Sequence, residues 1–192
     1  MKIIASLTPP GMLLLFNLLG CSPDSPKIES QTAPTEAQQI AKGEYLVGIM
    51  GCNDCHSPKV FGPNGPSPDP NLLLSGHPES MPVSKIDSTL IGPWVFFNPH
   101  NTVAVGPWGA SFAANLTSDA TGIGNWTLDQ FKTALKKGKY KGLEGARNLL
   151  PPMPWPNYKN ISDEDVAAIF AYLKSTKPVH NVVPAPKSLS EL

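Results

Sequence analysis

Proline sets the first limit on this chain. It occupies 22 of 192 positions, about 11%, where ~5% is usual. A proline inside a helix removes a hydrogen bond and clashes with the preceding turn. A bundle of long helices is therefore excluded, and long ordered loops are expected. The hydrophobic share of 41% still supports a core, and the length fits about one domain. Fifteen basic side chains balance fifteen acidic ones. Zero net charge does not favour the basic stripe of a nucleic-acid binder, and no nucleic-acid partner is expected.

Residues 1–21 read MKIIASLTPPGMLLLFNLLGC. Lys2 supplies a minimal positive start, and Met12 to Leu19 is apolar apart from Asn17. Pro9 and Pro10 stop a helix from running back to residue 3. The apolar run is far short of the ~20 residues that span a bilayer, so residues 1–20 read as a signal peptide. Leu18-Leu19-Gly20-Cys21 resembles a bacterial lipobox. That resemblance implies cleavage before Cys21 and its lipidation, giving a membrane lipoprotein on the periplasmic or outward-facing side. An ordinary secretory signal with a chance cysteine is the plainer alternative. Ser22 to Thr35 has Ile28 as its one larger apolar side chain. It cannot bury enough surface to order itself, and residues 21–35 suit a flexible linker.

Cys52-Asn53-Asp54-Cys55-His56 is C-x-x-C-H, the attachment signature of c-type haem. The spacing has a mechanical reason. Two thiols add to the two haem vinyl groups, and the adjacent imidazole is placed beneath the iron. With Cys21 assigned to lipid, the three cysteines of the chain are all used. Three rivals carry less weight. A zinc site on Cys52 and Cys55 needs two more ligands, and His56, His77 and His100 lack zinc-finger spacing. A thioredoxin-like pair needs a strand before the motif, where a helical pattern stands instead. A disulfide between Cys52 and Cys55 is awkward and leaves His56 unexplained.

Helices flank this motif. Glu36 to Met50 has a loose apolar stripe of Ile40, Tyr45, Leu46 and Val47. Thr127 to Gly138 opens on a capping box of Thr127 and Gln130, with Leu128, Phe131 and Leu135 on one face and Gly138 as its stop. Ser162 to Ser175 opens on Ser162, with Asp165 expected to complete a capping box. Val166, Ile169, Phe170 and Leu173 form its stripe. These stripes are core packing. No alternating pattern of any length suggests a sheet, although NTVAVG from Asn101 could form one short strand. The rest of 57–113 reads as a Pro/Gly-rich loop, ordered against the haem.

This arrangement resembles a class I c-type cytochrome over residues 36–178. The details are similar to the cytochrome c domains that accompany bacterial periplasmic dehydrogenases: Gly43 to Leu46 before the haem motif, Asn115 to Thr117 and Gly122 to Trp126 before the middle helix, Pro151 to Pro154 before the last. The resemblance implies an all-α fold, three or more helices around one covalent haem c, with the long loop as an insertion. Residues 179–192 would be a tail. It implies a close crossing of the first and last helices, with Gly43 against Phe170 or Tyr172. Several relatives carry two or three haem motifs and this chain has one, so a multi-haem wire is not expected.

The sixth ligand is expected to be Met153, in Leu149-Leu150-Pro151-Pro152-Met153-Pro154-Trp155-Pro156. Its prolines lower the entropy lost in holding a sulfur on iron. Met50 is too near Cys52 in the chain to reach the far face. Met81, His77 and His100 are the rivals, and a gap-filling role is the plain alternative for Met153. Trp94, Trp108, Trp126, Trp155, Asn115 and Arg147 are candidates to meet the haem propionates. Lys132, Lys136, Lys137, Lys139 and Lys141 form a basic cluster, read here as a solvated face rather than a partner site.

His56 and Met153 together fill both axial positions and raise the reduction potential. The expected function is single-electron transfer without catalysis, to redox proteins such as a dehydrogenase, another cytochrome or an oxidase. One alternative is an electron-accepting subunit held on a dehydrogenase, which an exposed apolar patch in 57–113 would favour. Others are a haem enzyme or gas sensor with a labile sixth site, and a metal-binding lipoprotein without haem.

Overall fold

The computed structural model describes residues 33–192. The expected signal peptide, Cys21 and most of the expected linker lie outside them. Among the described residues no helix is long and apolar enough to cross a membrane.

Among the described residues four α-helices are present: α1 (Glu36–Ile49), α2 (Cys52–His56), α3 (Leu128–Lys137) and α4 (Asp163–Ser175). Thr35 caps α1 in a reciprocal box with Gln38. Thr127 and Gln130 form the expected box on α3, and Gly138 closes it with φ 65°. Ser162 caps α4 through the Asp165 amide. The Asp165 carboxylate goes elsewhere than the expected box: it pairs with Lys42 of α1 at 2.6 Å.

α1 and α4 pack against each other at a glycine. A Cβ on Gly43 would run into the carbonyl of Ala168 and the Cβ of Tyr172. Tyr172 is thus the aromatic at the crossing, while the Phe170 ring lies 5.4 Å from that of Phe131 on α3. Val47, Phe131, Leu135, Val166, Ile169 and Leu173 join three helices into one core, with Leu74 and Ile123 added from loops. Fully burying such side chains contributes ~1.5–3 kcal/mol each.

The fold is not all-α. Two small antiparallel sheets occupy the long connection. One is a hairpin of β1 (Lys59–Gly62) and β2 (Gly65–Pro68), and the other has order β3 (Phe96–Phe97), β4 (Val103–Gly106), β5 (Gly109–Phe112). The architecture is therefore mixed α and β. Both hairpins turn on two residues, Pro63-Asn64 and Pro107-Trp108. The strands escape the alternation rule because they are short, and every residue of β4 is buried. Val103, Val105 and Ala110 form a second core.

Residues after α4 are stitched into this second part. Ala110 and Lys187 exchange backbone hydrogen bonds of 2.8 and 3.1 Å. The buried Asn181 amide donates to the carbonyls of Ser75 and His77 at 2.7 and 2.9 Å and accepts from the Glu79 amide at 2.9 Å.

Candidate haem site

The Cys-x-x-Cys-His segment is α2 itself. Gly51, left-handed with φ 68°, turns the chain from α1 into it. Its far end is held by the long connection. Ser57 Oγ accepts from the Leu74 amide at 2.8 Å and donates to Asn53 Oδ1 at 2.7 Å. The Gly76 amide donates to the His56 carbonyl at 2.8 Å.

The His56 side chain is oriented by a backbone group. Its Nδ1–H donates to the Ala114 carbonyl at 2.7 Å. That bond selects the neutral tautomer with a lone pair on Nε2, the arrangement usual for a metal-ligating histidine. Desolvation by burial lowers the imidazole pKa from its ordinary value of 6.5 and favours the same neutral form.

Cys52 and Cys55 are both free thiols. Burial pushes the Cys52 thiol up to about 11 and raises that of Cys55. No group of three His, Cys, Asp or Glu side chains suited to a metal ion occurs among the described residues. The donor set therefore does not support the zinc reading, and the motif follows α1 rather than a strand, against the thioredoxin-like one.

Met153 and Cys52 pack, partly buried, against the same apolar core. The segment around Met153 is pinned at its start by the Leu149 amide on the Gly138 carbonyl at 2.6 Å. Beyond it, the Trp155 ring lies against Gly138. Met50 packs on that core too. The other rivals are engaged elsewhere. His77 is fully buried, with Nδ1 2.9 Å from Thr102 Oγ1 and Nε2 3.1 Å from the Met81 carbonyl. The Met81 sulfur accepts from Asn98 Nδ2 at 3.5 Å. His100 Nδ1 accepts from the Lys59 amide at 3.1 Å.

Several peripheral candidates have structural partners. The Asn115 amide donates to Thr121 Oγ1 and the Val179 carbonyl, and its oxygen accepts from Thr117. Arg147 donates to the Asn148 carbonyl and lies over the Tyr140 ring, 4.1 Å from its centroid. Trp108 donates to Ser111 at 3.3 Å, whereas Trp94 is 65% exposed. Trp126 packs beside the main core. Lys132 and Lys136 share Asp163, Lys137 pairs with Glu144, and Lys139 donates to Asn148. Three of the five lysines of the basic cluster thus meet a carboxylate, two of them sharing one. Ala114, Ser57 and Ser111 were not among the sequence candidates; the first acts through its backbone and the others carry no motif.

The cytochrome c family model matches residues 40–177. The chain belongs to the cytochrome c family. Members of this family carry covalently bound haem c and transfer electrons through it. The residues present fit that group: two free thiols on one short helix, a neutral imidazole with Nε2 left over, and a thioether on the adjoining core. This cytochrome c is 30% identical over 189 residues to the fructose dehydrogenase cytochrome subunit of Gluconobacter japonicus, covering 98% of the chain and 31% of that protein. It is 30% identical over 150 residues to the gluconate 2-dehydrogenase cytochrome c subunit of Pantoea cypripedii, covering 78% and 24%. It is 41% identical over 142 residues to the alcohol dehydrogenase (quinone) cytochrome c subunit of Gluconobacter oxydans (strain 621H), covering 73% and 22%. The chain spans under a third of the length of each of these relatives.

Proposed function

We propose that this chain is a monohaem electron carrier with His56 and Met153 as axial ligands and Cys52 and Cys55 as the thioether positions. The bond from His56 Nδ1–H to the Ala114 carbonyl carries this reading, because it leaves the Nε2 lone pair available to a metal. The bound haem supplies one-electron redox chemistry at its iron. The protein's part is positional. α2 fixes the two sulfurs relative to His56, the Ala114 carbonyl fixes the ring, and the apolar core under Met153 keeps water from the thioether. With His56 and Met153 both holding the iron, no site would remain for substrate, and the chain would carry electrons rather than catalyse a reaction.

The domain of 36–178 is tethered by the linker 21–35 to a lipidated Cys21 after removal of residues 1–20, and works on the outward-facing side of a bacterial membrane. Its redox partner is a dehydrogenase, as the names of its relatives suggest. A second form of this reading has the chain bound permanently as a dehydrogenase subunit. Leu90, Trp94, Val95 and Phe97, all exposed within one stretch of the long connection, favour it.

The test is the absorption spectrum of the haem-loaded protein, oxidised and reduced, with and without carbon monoxide. The expected result is a weak far-red thioether-to-iron band in the oxidised form, no response to carbon monoxide, and loss of the band in Met153→Ala. Ready carbon monoxide binding by the unaltered protein would overturn the assignment in favour of an open site. Absence of covalent haem would overturn it altogether.

A further inference from the structure

The segment Leu150-Pro151-Pro152-Met153-Pro154 contains three prolines, so its backbone has few hydrogen-bond donors. Its carbonyls are the main points by which the rest of the fold can grip it. Among the described residues, one hydrogen bond reaches residues 150–154 from another part of the chain: Ser111 Oγ donates to the Pro151 carbonyl at 2.5 Å.

The donor is well defined. Ser111 lies in β5 and is 9% exposed. Its single hydroxyl proton has two carbonyls within range, Pro151 at 2.5 Å and Ala104 at 3.4 Å, and the shorter bond takes it. The Trp108 Nε1–H donates to the same oxygen at 3.3 Å and orients the hydroxyl. β5 is in turn held between β4 and the backbone of Lys187. Ser111 thus joins a fixed sheet to the segment that bears Met153. Pro152 and Pro154 flank Met153 and fix their own φ angles, so few soft torsions separate the gripped carbonyl from the sulfur.

We infer that Ser111 is a positioning residue for Met153, holding the Pro151 carbonyl so that the thioether stays on the iron. The inference rests on Met153 as the sixth ligand. It gives the inserted sheet a purpose within the electron-transfer site.

The experiment titrates the oxidised, haem-loaded full chain with imidazole, which competes with the thioether for iron. Losing one such hydrogen bond changes an equilibrium by roughly tenfold at most. Ser111→Ala is expected to bind imidazole up to about tenfold more tightly than the unaltered protein, and Ser111→Thr, which keeps the hydroxyl, to bind it as the unaltered protein does. Unchanged affinity in Ser111→Ala, or an equal tightening in Ser111→Thr, would overturn the inference. Should Ser111→Ala not accumulate, Ser111→Cys replaces the hydroxyl with a weaker donor and must also tighten imidazole binding; unchanged affinity there would overturn it too. Met153→Ala separates the two levels. A far-red band that survives in Met153→Ala sinks the ligand assignment, whereas its loss there beside wild-type behaviour in Ser111→Ala sinks only the role of Ser111.

Discussion

Gly43 of α1 sits directly against the carbonyl of Ala168 in α4, with no room for a side chain between the two helices. Five residues later in α1, Gly48 faces open space. The two glycines therefore predict opposite outcomes for one substitution. Gly43→Ala forces the helices apart and should destabilise by about 3 kcal/mol. Gly48→Ala removes only backbone freedom from the unfolded chain and should stabilise by ~0.4–1 kcal/mol. Urea unfolding of the haem-loaded variants measures both. Equal effects at the two positions would mean that the crossing yields to a methyl group.

Asn181 ties residues after α4 to the Ser75–Glu79 stretch through three hydrogen bonds. Asn181→Ala leaves two carbonyls and one amide without their partner. A buried unsatisfied group costs ~1–3 kcal/mol, and entering water offsets part of that, so a loss of about 3 kcal/mol is expected. Amide exchange should quicken most at Glu79, whose N–H loses its acceptor. A stability within error of the unaltered protein would show that this network is dispensable.

The helices were legible because their signals are local. Thr127, Gln130 and Gly138 mark both ends of α3 within the helix and its caps, and the stripe of α4 repeats at helical spacing. Gly43 was legible through the family pattern, with Tyr172 rather than Phe170 resolved only by the packing. The haem motif is local as well, being five consecutive residues. What was missed acts over distance or through backbone. β4 is buried at every position, so it offers no alternation to read. Ser111 reaches Pro151 across 40 residues, and Asn181 reaches Ser75 across 106. The group that orients His56 is the carbonyl of an alanine, which no side-chain pattern can announce. The capping box expected at Asp165 failed because Lys42 of α1 offers that carboxylate an opposite charge.

The rivals to Met153 give a test that does not touch Met153. Met81 already accepts from Asn98 and His100 from Lys59, each through the atom that a metal would require or its ring partner. Met81→Leu and His100→Ala should leave the far-red band and the carbon monoxide response as in the unaltered protein. Loss of the band in either variant would move the sixth ligand to the long connection.

His77 makes stability depend on pH in a defined window. Its ring is fully buried, with Nε2–H donating to the Met81 carbonyl and Nδ1 accepting from Thr102. Desolvation by burial is the main cause lowering its pKa from 6.5, and His100 lowers it further; the bond to the Met81 carbonyl opposes them. The unfolded chain therefore takes up the proton first as pH falls. The stabilising contribution is complete above about pH 6.5 and declines as pH drops from there through the folded value. The shifted carboxylates act lower. Asp119, Asp163 and Asp165 are held below their ordinary 3.8, and their contribution is lost only as pH falls beneath that value. Urea midpoints of the haem-loaded protein measured between pH 7.5 and 5 should fall with acidity, and the slope should flatten in His77→Gln whatever that variant's absolute stability. Parallel slopes in the two proteins would show that His77 does not carry the pH dependence.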